Sequence, residues 1–305
     1  MTAFLARRAA GAFIVMVGVA VVVFVILHLT GDPATVMLPE YATQSEIAQF
    51  RHEHGFDRPL PVQFATFAVG AIHGDFGMSL RHDEPALKLA LQRLPASAEL
   101  ALTGMIIALA ISLPTGILAA IYRNSVLDFV ARIFALVGQS APVYWLGIMF
   151  ILIFGVQLGW LPVSGKGGLS HLILPAITLG MFTAAKLMRL TRASMLDILS
   201  SDFLRTAAAK GVQPIRLILH HALRNAWLPI VTTIGVELGG LFSQAIITET
   251  VFAWPGIARL AVQAIYDRDY PVVEVIVILT ALAFVILNLM VDLAYAVLDP
   301  RIRYE

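Results

Sequence analysis

Long uncharged runs decide what this chain can become, because an apolar stretch without charge that outlasts an ordinary core helix needs a bilayer around it. The first runs from Ala9 to Leu27, behind a short head carrying Arg7 and Arg8. Five others follow, at about Leu100 to Tyr122, Ile133 to Leu158, Leu172 to Met188, Trp227 to Ile247 and Val273 to Val297. At about 1.5 Å of rise per residue they suit a hydrocarbon core of about 30 Å. Within 305 residues that are 59% hydrophobic and only 13% charged, they predict an all-α polytopic membrane protein with six transmembrane helices. The first run is read as an uncleaved helix and not a signal peptide, since it passes into His28-Leu29-Thr30 and Gly31-Asp32-Pro33 with no small-residue cleavage site.

Lysine and arginine orient the spans. Arg123 and Arg132 lie between spans two and three, Lys186, Arg189, Arg192, Arg205, Lys210, Arg216 and Arg224 between four and five, and Arg301 and Arg303 at the end. The alternate loops carry only Lys166, or Arg259 and Arg268. Both termini are therefore expected in the cytoplasm. The expected division is 1–29 for the cytoplasmic start and first helix, 30–96 for a periplasmic or extracellular segment, 97–297 for a five-helix core with a cytoplasmic loop at 193–226, and 298–305 for a cytoplasmic tail. Within the outer segment, helices are expected at Ser45 to His54 and Val62 to Ile72. Between spans five and six, Pro255-Gly256 makes a turn before an expected surface helix at Ile257 to Tyr266.

One polar island, Asp202 to Pro229, interrupts the membrane pattern. Phe203 to Lys210 holds good helix formers, Ala207, Ala208 and Ala209 among them, and Gly211 stops the helix. Pro214 then suits the first turn of a second helix, in which Ile215, Ile218, Leu219 and Leu223 recur at helical spacing. Helix, turn and helix would form a compact knob. Taken alone, the same charges would also be explained by the ordinary cationic bias of cytoplasmic loops.

In this island the chain resembles the integral membrane permease subunits of ABC importers, in particular the peptide, nickel and opine branch. That family's cytoplasmic loop carries a Glu-Ala-Ala, three residues, Gly signature, aligned here with Arg205, Thr206, Ala207 and Gly211; Arg205 and Thr206 replace the Glu and first Ala, as in the Arg-Thr-Ala form of the peptide branch. The likeness extends through Gly31-Asp32-Pro33-Ala34, Asp57-Arg58-Pro59-Leu60-Pro61, Gly74-Asp75-Phe76-Gly77, Gly159-Trp160-Leu161-Pro162, Leu174-Pro175, Arg268-Asp269-Tyr270-Pro271 and the ending Leu298 to Tyr304. By resemblance, Arg205, Thr206, Ala207, Lys210 and Gly211 belong to a coupling helix that docks on an ATP-hydrolysing subunit. The resemblance further implies a second homologous permease subunit, two ATP-binding subunits that use ATP and Mg²⁺, a periplasmic or surface substrate-binding protein, and the plasma (inner) membrane of a prokaryote. It implies half of an alternating-access pathway for short peptides such as dipeptides, oligopeptides or glutathione, with nickel chelates or opines as the alternative within the family. No catalytic residue, metal or cofactor is expected on this chain itself.

Polar groups inside apolar spans are costly in hydrocarbon and turn toward protein or water, which makes them candidates for the pathway. They are Gln139, Ser140 and Pro142 in span three, where the proline removes a backbone donor and should kink the helix, Glu237 in span five, and Asn288 in span six with Asp292 four residues on. Glu237 is open to two readings, facing a substrate ammonium group or pairing with a partner subunit. Asn288 and Asp292 are first read as interhelical bonding partners.

Competing chemistries lack their residues. A net charge of +1, with basic residues clustered by loop, makes no nucleic-acid surface. Cysteine is absent. Gly165-Lys166 has Trp160 where a phosphate-binding loop needs glycine, His52-Glu53-His54 lacks the spacing of a zinc pair, and Gly138-Gln139-Ser140 has no histidine well inside a later span to make a dyad. A self-contained channel or secondary transporter remains the alternative of another class, although the halves show no internal repeat.

Overall fold

A computed structural model describes residues 2–38 and 41–298. In chain order the helices are α1 (Thr2–Thr30), α2 (Ala34–Met37), α3 (Gln44–Glu53), α4 (Leu60–His73), α5 (Ala86–Ile121), α6 (Val126–Ser140), α7 (Val143–Phe150), α8 (Leu169–Leu199), α9 (Asp202–Ala209), α10 (Pro214–Arg216), α11 (Leu223–Val251), α12 (Ile257–Tyr266) and α13 (Tyr270–Leu298). Two π-helical stretches, Ile151–Gln157 after α7 and Leu217–Ala222 between α10 and α11, complete the set. Among the described residues there is no strand, only an isolated bridge between Met78 and Pro85.

Among the described residues five helical stretches are long and apolar enough to cross a membrane: Ala10–Leu29, Ala86–Ile121, Leu169–Leu199, Pro214–Val251 and Tyr270–Val291. A sixth span exists if α6 and the α7 segment are one broken crossing, for they meet at 107°. This bend exceeds the kink expected at Pro142. Ala141, held extended at φ −75° and ψ 129° before the proline, ends α6, and Pro142 at ψ 136° restarts the chain in a new direction. With 36 residues, α5 is about 54 Å long and projects beyond a core of about 30 Å. It begins well before Leu100, where the apolar pattern alone starts the span.

The chain divides into two compact units. One joins the residues up to Ser97 with Pro255–Ile286. Its core packs Leu27, Leu89, Ala90, Ile257, Leu260 and Val273 together. Thr43 caps α3 in a reciprocal box with Glu46; the Thr43 backbone N–H donates to the Glu46 carboxylate at 2.7 Å and holds that group below the usual carboxylate range. Buried Asp269 accepts hydrogen bonds from Ser79 Oγ at 2.5 Å and the Leu80 N–H at 3.1 Å, while the Tyr270 hydroxyl donates to the carbonyls of Leu27, at 2.8 Å, and Gly31. The α12 helix occupies the expected residues.

The other unit joins Ala98–Trp254 with the stretch from Leu287. Here small residues bring helices together. A Cβ on Gly180 of α8 would run into the Gly104 carbonyl of α5, and one on Gly138 of α6 would lie 3.2 Å from Ala185 of α8. In a bilayer, where apolar surface gains little from leaving lipid, such close approach supplies the packing. The last residues of the chain, from Asp299, with the expected tail at 298–305, lie outside the described residues apart from Leu298 at the end of α13.

Candidate functional site

The polar island folds as a short amphipathic helix on a single anchor. Only Leu204 of α9 is buried, at 3% exposure, in a cluster with Ala120, Met195, Ala222 and Ala226. Residues around it on the helix, Phe203, Arg205, Thr206 and Ala208, face solvent. The Thr206 hydroxyl donates to the Asp202 carbonyl at 3.0 Å, and Arg205 reaches Asp202 at 3.3 Å. That exposed ion pair adds little stability. At the end of α9 the Gly211 N–H donates to Ala208 O and the Val212 N–H to Ala207 O, with Gly211 at φ +80°. Such a crossed pair of bonds closes a helix on a left-handed residue, a conformation glycine adopts without strain. Lys210 and Gly211 are exposed, and Ala207 is half-buried.

Beyond the turn the structure departs from a self-contained knob. Pro214 opens α10, which continues through the π-helical stretch straight into α11, so the expected second helix is the near end of a membrane span. Within the π stretch the bonding reaches five residues back, the Leu223 N–H donating to Ile218 O. Buried Ala222 of this stretch shares the Leu204 cluster with Met195 of α8 and Ala226 of α11. The exposed face of α9 is thus fixed directly to the ends of two long helices.

Two buried acids organise the unit that holds Ala98–Trp254. Glu237 of α11, 5% exposed, pairs with Lys186 of α8 at 2.5 Å, and Thr183 donates to its other oxygen at 3.4 Å. Within this chain its partner is a lysine of the neighbouring helix. Asp128, fully buried at the start of α6, takes both Arg192 Nε at 2.6 Å and Nη2 at 2.9 Å, with the Asn124 N–H at 3.0 Å and Arg132 at 3.5 Å. A two-pronged guanidinium bond of this kind locks α6 to α8. Charge counting along the sequence used Lys186, Arg132 and Arg192 only to orient loops and missed both pairs. The signal for Asp128 was its place three residues after Ser125, whose hydroxyl accepts its N–H at 3.3 Å.

The remaining pathway candidates are dispersed. Gln139 is half-buried at the end of α6, while Ser140 and Pro142 at the bend are exposed. Asn288 on α13 is half-buried and interacts with a neighbour. The side chain of Asp292 lies outside the described residues. Elsewhere in this unit Lys166 bridges to Glu99 at 2.6 Å and stands 5.5 Å from the Trp254 ring, tying the loop before α8 to α5 and to the end of α11.

A family model described as binding-protein-dependent transport system inner membrane component matches residues 112–304, and one for the N-terminal part of such components matches residues 1–101. Over the whole of both chains, this protein is 41% identical to a probable peptide ABC transporter permease protein, y4tP, of Sinorhizobium fredii. It is likewise 38% identical to the dipeptide transport system permease protein DppB and 40% identical to the glutathione transport system permease protein GsiC, both of Escherichia coli K12. Its fold is similar to a chain of the inward-facing MetNI methionine ABC transporter, with a TM-score of 0.61 at 17% identity, covering 70% of this chain and 97% of that one.

Proposed function

Since this chain belongs to the inner-membrane components of binding-protein-dependent transport systems, we propose that it forms half of an ATP-driven import pathway for short peptides in the plasma membrane of a prokaryote. The full-length likeness to permeases named for peptides, dipeptides and glutathione supports that substrate class. A second, homologous permease supplies the other half of the pathway. Two ATP-binding subunits hydrolyse ATP with Mg²⁺, and a binding protein delivers the peptide from outside. This chain is the permease and neither binds a cofactor nor hydrolyses ATP.

The observation that carries the mechanism is the mounting of α9. Its polar face, with Arg205, Thr206 and Lys210, is presented to solvent, while Leu204 ties it to α8 and α11. When the ATPases close, a docked α9 moves with them, and the rigid helices relay the displacement into outward opening. Both termini and α9 then lie in the cytoplasm, and the segment 30–96 lies outside. Glu237, Asn288 and Gln139 are proposed to border the path, with Ser140 and Pro142 at the bend beside it.

Affinity purification of the tagged chain from its native host in mild detergent, followed by mass spectrometry and reconstitution, tests the proposal. Two ATPase chains and a second permease should copurify, and dipeptide uptake should require ATP. Recovery of this chain alone, transporting without ATP, would replace the importer by a self-contained transporter.

A further inference from the structure

The geometry points to a second ligand site, a cavity of about 440 Å³ in the unit containing α1 to α4, that binds a small zwitterion with an apolar body by seating its ammonium group against Glu274. Glu274, near the start of α13, is only 7% exposed and lines this cavity. Among the described residues no side chain or backbone group donates a hydrogen bond to its carboxyl. A buried carboxylate left so is costly, and a cation entering the cavity would remove that cost. Apart from Arg58, the other polar side chains of the lining are engaged, His54, Thr66 and Tyr270 with backbone carbonyls. His28 bonds Phe24 O at 2.8 Å and Gln63 at 2.9 Å, Gln63 donates to the carbonyls of Phe56 and Arg58, and Asp75 accepts the Gly77 N–H at 3.0 Å.

The walls suit an ammonium carrying an apolar group. Phe24, Phe56, Phe67, Phe76 and Tyr270 line them, Phe24 stacking on Phe67 at 6.1 Å and Phe56 meeting Tyr270 edge-on at 5.9 Å. Aromatic faces attract cations, most strongly where water is scarce. At the exposed mouth stands Arg58, whose Nε lies 3.6 Å from where a Cβ on Gly55 would be. Gly55, at φ +72°, supplies the left-handed turn that leads the chain to Arg58. A buried carboxyl able to take a cation's charge at the base, aromatic sides and a guanidinium at the rim match a molecule with an ammonium at one end and an anion at the other. Two sources carry that chemistry: a free short peptide, and the headgroup of phosphatidylethanolamine. The inference does not depend on which substrate the pathway carries.

The purified full chain in nanodiscs of phosphatidylglycerol, without binding protein or ATP, would be assayed for tritiated Ala-Phe and for its N-acetylated form. Wild type should bind the free amine about ten- to a hundredfold more tightly than the acetylated peptide. Glu274→Gln should abolish that preference, and Arg58→Ala should weaken both. In discs that also contain phosphatidylethanolamine, native mass spectrometry reads retained lipid. Retention by wild type that Glu274→Gln loses, with displacement of Ala-Phe, means that the same site is filled from the bilayer. Equal binding of the two peptides by wild type, or no binding of either, together with lipid retention indifferent to Glu274, overturns the inference. The acetylation comparison is made on the unaltered chain, so a misfolded variant cannot obscure it.

Discussion

Leu204→Ala isolates the mounting of α9 from its chemistry. An eight-residue helix is marginal by itself in water, and only Leu204 of α9 is buried. Truncating a core leucine to alanine costs about 2–5 kcal/mol through lost transfer energy and the cavity left behind. Because α9 meets the core on one side only and can settle, a value of about 2–3 kcal/mol is expected, lowering the docked-to-undocked ratio about 30- to 150-fold. Arg205, Thr206 and Lys210, on the exposed face, stay chemically unchanged. In the assembled transporter, hydrogen exchange at the amides of α9 should quicken by that factor, while exchange in α8 and α11 changes little. Uptake per ATP hydrolysed in proteoliposomes should fall with it. Unchanged protection of α9 together with unchanged coupling would refute the single-anchor argument.

Other perturbations separate the remaining elements. Asp128→Ala leaves the Arg192 guanidinium without its carboxylate and should cost about 3 kcal/mol, read as a lowered unfolding temperature in detergent; Asp128→Leu with Arg192→Met should recover most of it. Glu237→Gln should reduce uptake with little loss of stability, about 1 kcal/mol or less, because Lys186 is 43% exposed; full uptake with normal assembly would remove Glu237 from the pathway. Gly180→Ala drives a methyl into the Gly104 carbonyl and should destabilise the chain by about 1–3 kcal/mol, again read by thermal unfolding. Gly211→Pro cannot hold φ +80° and removes the N–H that bonds Ala208, so ATP hydrolysis should continue while uptake is lost; full coupling would defeat the docking role.

How much of this was legible in the sequence depends on the range of each interaction. Gly211 announced its left-handed turn and Pro255-Gly256 the start of α12, because those choices are made by the residue itself and its neighbours. Apolar runs gave the long helices for the same reason. Pro142 marked the break in span three, but the 107° angle depends on what α6 and the α7 segment pack against, which no local rule supplies. The helix, turn and helix of the island are present, but the second helix runs unbroken from α10 through the π-helical stretch into α11, a continuity that helical periodicity does not reveal. Pairs such as Asp128 with Arg192, or Glu237 with Lys186, join different helices. Period 3.6 identifies a face and never its partner, so lysines and arginines counted as loop markers turned out to hold helices together.

The π-helical stretch at Leu217–Ala222 has a consequence for chain length. Such a stretch is an α-helix carrying one residue too many, and each residue turns an α-helix by about 100°. Deleting one residue here would restore ordinary winding while leaving both flanking faces in phase with their present neighbours, whereas a deletion inside α11 would rotate every later side chain away from its contact. Proteins sharing this architecture should therefore tolerate length differences of a single residue at this place, and a gap set instead between this stretch and Glu237 would misalign Glu237 with its counterpart.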